Sequence, residues 1–141
     1  MIEIARVSAG SRVAPAYFHQ RWCDLATHPE WSASMEFLRL REPFALGARG
    51  VSKPHGGRQA PFTVTALEPG TVYADTTFLR GARLTVHHEA RPSGAGSRLE
   101  VHAYLRGRRA RQWARRMGDD VQRSLAVDLA GLVELAESSE R

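Results

Sequence analysis

Cysteine is nearly absent from this 141-residue sequence, and so is lysine. A single cysteine, Cys23, excludes an intramolecular disulfide framework and a Cys-rich zinc site, and it suits a reducing compartment. Lys53 is the only lysine, so 19 of the 20 basic residues are arginine. That bias accompanies abundant alanine, glycine and valine and reads as GC-rich coding. The net charge of +5 is therefore weak evidence for nucleic-acid binding. No apolar run approaches the ~20 residues of a membrane span, and no N-terminal stretch has signal-peptide shape. The expectation is a cytoplasmic protein. Also missing are a Gly-rich phosphate loop between strand and helix, a Gly-x-Ser-x-Gly elbow and a His-x-x-x-His pair. No metal site and no cofactor are expected.

Proline is missing from the last third of the chain, and this absence is the most informative one. From Arg108 to Glu137 apolar residues recur by threes and fours: Trp113, Met117, Val121, Leu125, Leu129, Leu132 and Ala136. That spacing gives one buried face on a long α-helix, with Arg111, Arg115, Asp119, Arg123 and Glu134 opposite. Upstream the chain alternates as strands do. Ile2–Val7 reads as a strand broken by Ser8–Ser11, followed by a short helix over Ala14–Leu25 with Pro15 in its first turn. A further helical turn is expected at His28–Trp31. Strands follow at Met35–Arg41, Arg49–Lys53, Phe62–Glu68, Val72–Leu79, Ala82–Arg91 and Ser97–Arg106, with a loop over Pro92–Gly96. With no linker or repeat, the chain reads as a single α+β domain over 1–141, a curved sheet wrapped on a terminal helix.

Strand register decides which side chains face that helix. The last strand places Leu99, Val101, Ala103 and Leu105 on one face and Glu100, His102, Tyr104 and Arg106 on the other. Pairing across the Pro92–Gly96 loop sets Val101 opposite His88 and turns Leu84, Val86 and His88 inward. Continuing through Arg80-Gly81 turns Thr77, Asp75 and Tyr73 to the same concave face. A slip of one residue reverses every assignment.

Several motifs, in order, carry a resemblance: Val13-Ala14-Pro15-Ala16, Asp24 with Pro29-Glu30-Trp31, Leu46-Gly47-Ala48-Arg49-Gly50, the run Phe62 to Gly70, and Gly96-Ser97-Arg98-Leu99 leading into Leu105-Arg106-Gly107. Over nearly its whole length the chain resembles the START/Bet v 1-like (SRPBCC) superfamily, within the polyketide cyclase/dehydrase and lipid-transport group. The resemblance implies a helix-grip fold: a seven-stranded antiparallel sheet curled around the C-terminal helix. Two short helices after strand 1 close one end, and an apolar cavity lies between sheet and helix. Ala74, Thr76, Thr77, Ala103, Gly50 and Ser52 are expected to leave it room. Trp31, Met35, Phe62, Val64, Leu84, Val86, Val101, Trp113, Met117 and Val121 are expected to line it. For any one of them plain core packing is the simpler role.

The polar residues turned inward are Tyr73, Asp75 and His88. An imidazole beside a carboxylate and a phenol can move protons. His88 would act as acid or base, raised or oriented by Asp75, while Tyr73 donates to a developing enolate. The expected function is binding of a small hydrophobic ligand of polyketide, lipid or isoprenoid type, with cyclase or dehydratase chemistry left open. A non-enzymatic lipid or quinone carrier is the alternative. The arginine-dense stretch Arg106–Arg116 offers another: an interaction protein contacting nucleic acid or an anionic membrane. Its simplest reading is a solvated helix face.

Overall fold

The computed structural model describes residues 1–139; the expected domain end at Arg141 lies outside them. Seven strands build one antiparallel sheet: β1 (Ile2–Ser11), β2 (Met35–Leu40), β3 (Arg49–Pro54), β4 (Ala60–Glu68), β5 (Val72–Leu79), β6 (Ala82–Ser93) and β7 (Gly96–Arg106). Their spatial order is β1-β7-β6-β5-β4-β3-β2. The consecutive strands β1 and β2 thus sit at opposite edges, joined by α1 (Pro15–Cys23) and a 3-10 helix (Leu25–Glu30). The long helix α2 spans Ala110–Ser138. Pro15 opens α1, where its missing N–H costs nothing. The α+β class and the two short helices after the first strand are as expected.

Two boundaries differ from the sequence reading. β1 does not stop at Ser8: Gly10 pairs with Arg98 and Ser11 with Ser97. Edge-strand pairing along the whole of β7 outweighs the local turn propensity of Ser-Ala-Gly-Ser. The Pro92–Gly96 stretch is mostly ladder, with Pro92 opposite Ser97 and Ser93 opposite Gly96. Only Gly94 and Ala95 turn the chain, and Gly94 does so at φ +57°.

The inward face follows the predicted register. His88 lies opposite Val101. Tyr73, Asp75 and Thr77 lie opposite His88, Val86 and Leu84. On β4, Val64 and Phe62 continue the same rows. The convex face is polar: Thr65, Thr76 and Thr85 are hydrogen-bonded in a chain, and the His87 and His102 rings stack at 4.8 Å.

The helix α2 lies against β1 and β7. The Gln122 side chain accepts from the Arg6 N–H (3.0 Å) and donates to the Arg6 carbonyl (3.2 Å). This occupies backbone groups on the free edge of the sheet. Further along, the buried Asp128 carboxylate accepts from both hydroxyls of Ser32 (2.7 Å) and Ser34 (2.6 Å) and from the Ser34 N–H (3.3 Å). Gly131 lies so close to that segment that a Cβ would stand 2.6 Å from the Trp31 carbonyl oxygen. These contacts tether the C-terminal half of α2 to the chain between the 3-10 helix and β2.

Candidate functional site

Side chains inside the curl form two separate clusters. The larger joins Phe18, Trp22 and Leu25 from the small helices with Leu99, Val101, Leu129, Leu132 and Ala136. The smaller gathers Ala82, Leu105 and Ala110 with Ile2, Ile4, Leu84, Trp113 and Ala114 at the start of α2. Met117 and Val121, the helix positions between the two, are only partly buried and belong to neither cluster. On the inward face of β5, Asp75 and Thr77 are partly buried too. Sheet and helix are packed most closely towards the two ends of α2.

Asp75 lies in the inward row of the sheet, with Val64 and Val86 as its neighbours. The Tyr73 hydroxyl, two residues back on the same face of β5, donates to Asp75 Oδ2 at 2.7 Å. No cation pairs with Asp75 among the described residues, and the Tyr73 hydroxyl is its only hydrogen-bond partner there. Burial among apolar groups raises the carboxyl from 3.8 to about 6, opposed in part by the Tyr73 hydrogen bond. The Tyr73 phenol is itself raised well above its ordinary value, by burial first and then by the Asp75 charge.

His88 is held by its strand and ring neighbours, with no hydrogen bond to Asp75 among the described residues. Its Nδ1–H donates to the Tyr73 carbonyl at 3.1 Å, so Nε2 is the unprotonated nitrogen. The ring sits between Trp22 (5.1 Å) and Tyr73 (5.3 Å) and is buried. Burial lowers its pKa to about 3, where an upward push from Asp75 had been expected. The imidazole stays neutral and braces β5 against β6.

The candidate lining residues divide by burial. Phe62, Val64 and Val101 are sealed in the main core. Trp31, Met35 and Val86 pack against it from partly buried positions. Leu84 and Trp113 belong to the smaller cluster, and the Trp113 indole N–H donates to the Arg80 carbonyl at 2.8 Å. Met117 and Val121 are partly buried and lie between the two clusters along α2. Two of the small residues expected to make room, Ala74 and Thr76, point to the convex face, one position out of phase with Asp75. Gly50 leaves no void either: a Cβ there would stand 2.2 Å from the Arg39 carbonyl oxygen and 2.9 Å from the Phe62 ring.

Two clefts lie elsewhere, and neither is lined by Tyr73, Asp75 or His88. One of about 540 Å³ is bounded by His19, Gln20, Cys23, Asp24, Phe44, Leu67 and Pro69. Burial pushes the Cys23 thiol up to about 11, which rules it out as a thiolate nucleophile at neutral pH. The His19 Nε2 atom is 3.0 Å from the Val72 carbonyl. The other cleft, about 630 Å³, lies at the start of α2 among arginines. Sequence reasoning missed Asp128 and Phe44. An acidic residue three positions after Leu125, on the apolar face, was the available signal for the first. Phe44, whose ring lies 6.1 Å from that of Tyr73, sits in a connecting segment with no periodicity to read.

No protein-family model and no curated protein matches the sequence. Solved structures do match. The di-domain ARO/CYC protein StfQ from the steffimycin biosynthetic pathway aligns over 99% of this chain and 52% of its own, with a TM-score of 0.79 at 11% identity. This chain therefore spans about half the length of StfQ. Protein NE0264 from Nitrosomonas europaea aligns over 99% and 96%, at TM-score 0.75 and 12% identity. The structure of Ara h 8.0201 aligns over 94% and 96%, at 0.65 and 12%. At these identities the likeness establishes the fold. The chain has the helix-grip architecture of the Bet v 1-like proteins.

Proposed function

We propose that this protein binds a small, mainly apolar ligand of polyketide, lipid or isoprenoid type between the sheet and the middle of α2, with the Asp75 carboxyl as its polar anchor. One observation carries the reading: a lone carboxyl, without a cation partner among the described residues, is buried on the inward face of a largely apolar curl. A structural fold position seldom holds such a group, because burying it costs stability unless something uses it. Solved structures of the same fold that include a polyketide ARO/CYC protein support the ligand class.

Asp75 is also the group best placed for proton transfer. With a pKa of about 6 it is mostly ionised at neutral pH yet keeps a protonated fraction. As a base it would take a proton from carbon beside a ligand carbonyl. As an acid it would return one to a departing hydroxyl. Tyr73 holds the carboxylate in place through its hydroxyl, and neutral His88 holds Tyr73's strand. The second reading, a carrier without chemistry, is favoured by a specific feature. The Tyr73 hydroxyl and the His88 Nδ1–H are both committed to protein acceptors, which leaves one free group for catalysis.

Native mass spectrometry of the purified protein against its denatured mass tests the binding reading. A co-purifying apolar compound supports it and supplies a substrate class. A uniformly empty protein that also fails to take up an apolar fluorescent probe overturns it. If Asp75→Asn abolishes conversion and leaves binding intact, the protein is an enzyme. Binding with no conversion by the native protein establishes the carrier.

A further inference from the structure

The cleft at the start of α2 lies apart from Tyr73, Asp75 and His88 and has its own chemistry. It is walled by Met1 and Ile2 of the first strand, by Arg106 and Gly107 at the end of β7, by Arg108, and by Ala110, Arg111, Gln112 and Arg115 of the helix. Four of its walls are therefore guanidinium groups, contributed by a strand end, a connecting segment and a helix. None of the four has a carboxylate partner among the described residues. The sequence holds no acidic residue between Glu100 and Asp119 to supply one. Elsewhere on this protein arginines do find carboxylates: Arg12 with Glu137, Arg21 with Glu30 and Arg49 with Glu42.

Composition does not produce this arrangement. An arginine-rich protein scatters arginines over its surface, whereas here they converge on a concavity of about 630 Å³. Within the cleft, Arg106 stands 5.4 Å over the Tyr104 ring and donates to Met1 Sδ at 3.6 Å. Two neighbouring arginines lie outside it. The Arg109 side chain lies along Gly81, and the Arg116 guanidinium stands 5.4 Å over the Trp113 ring. Convergence also works against stability. Arg111 and Arg115 are one helical turn apart, and Arg83 stands directly opposite Arg106 in the β6–β7 ladder. Like charges at those spacings repel, and an anion between them removes the repulsion.

We infer that this cleft binds a compact, phosphate-dense anion of the diphosphate class. Guanidinium groups match phosphate oxygens with paired N–H donors, and the Gln112 side chain adds another donor. The concave shape and small volume suit a diphosphate group better than a duplex or a flat bilayer. The diphosphate could belong to a free metabolite or to the head of a larger molecule.

Isothermal titration of the full chain with inorganic pyrophosphate at about 50 mM salt tests this. The expected result is saturable one-to-one binding that weakens at least tenfold in the Arg111→Gln/Arg115→Gln double variant. A control pair, Arg58→Gln/Arg98→Gln, removes equal charge from exposed positions outside the cleft and should change affinity less than twofold. Melting curves of each variant report that it is folded. Absence of saturable binding overturns the proposal, as does equal weakening by the control pair. Binding to anionic phospholipid vesicles without binding to pyrophosphate also overturns it, and assigns the patch to a membrane surface. Because the cleft includes none of Tyr73, Asp75, Met117 and Val121, none of these results bears on the apolar ligand.

Discussion

Replacing Asp75 with asparagine should make the protein more stable at alkaline pH and leave it nearly unchanged at acidic pH. The sign follows from proton linkage. The folded carboxyl holds its proton up to about pH 6, whereas the unfolded chain releases it near 3.8. Between those values the folded state binds more protons than the unfolded one, so ionisation of Asp75 erodes stability as pH rises. Well below pH 3.8 both states are protonated and nothing is lost. Above about pH 7 the full penalty applies, about 3 kcal/mol at 1.36 kcal/mol per tenfold change in proton affinity. That penalty already includes the opposing Tyr73 hydrogen bond. Asparagine is nearly isosteric and its carbonyl can still accept from Tyr73. The gain at pH 8 is therefore about 3 kcal/mol, or roughly 9–12 °C in melting temperature for a chain of this size. Thermal melts of both proteins from pH 4 to pH 8 measure it directly, and the difference between them cancels every other titrating group. A difference that is flat across this range, or a variant less stable at pH 8, would refute the claim that Asp75 ionises in an apolar enclosure.

Asp128→Ala should destabilise by about 2–4 kcal/mol, because it strands the hydroxyls of Ser32 and Ser34 at a buried site; urea unfolding would show an unchanged slope and an earlier midpoint. Gly50→Ala should cost about 1–3 kcal/mol, since its Cβ meets the Arg39 backbone and the Phe62 ring, and a melt that matches the parent would contradict that packing. Acid should unfold the protein through its buried histidines. His28 and His88 are lowered by burial to about 4 and about 3, so stability present above pH 6.5 is lost as pH falls through that range. His88→Gln should flatten this acid slope even if it lowers stability at pH 7, and an unaltered slope would mean His88 is not buried neutral.

Which parts of this were readable from the sequence depends on the range of the interaction that fixes them. Alternation in β7 and a short turn at Arg80-Gly81 were enough to set Val101 against His88 and to turn Tyr73, Asp75 and Thr77 inward, because pleat parity propagates across a hairpin. The same parity puts Ala74 and Thr76 on the opposite face, so their small size makes no room beside α2. Hydrogen-bond partners were not readable. Tyr73 reaches Asp75 along its own strand, and His88 spends its proton on a backbone carbonyl, details that depend on rotamers. How closely sheet and helix pack depends on where α2 lies across the sheet. Gln122 at the β1 edge and Asp128 at Ser32 and Ser34 fix that position, and neither contact leaves a periodic trace in the sequence.

Asp75 on the sheet and Asp128 on α2, compared, show why Asp75 asks for a functional explanation. Asp128 is buried and fully employed: three donors from Ser32 and Ser34 converge on its two oxygens, and the result is a tether. Asp75 receives one donor, has no cation, and is left with a raised pKa. An asparagine would satisfy the Tyr73 hydroxyl equally well without the cost of ionisation, and a threonine or valine would fill the row between Val64 and Val86. The fold therefore has no need of a carboxyl at this position. On the proposed function, what uses one is a ligand that offers a hydroxyl or an acidic C–H to the free oxygen. On this argument the stability gained by Asp75→Asn and the ligand affinity or turnover lost by it should be found in the same variant.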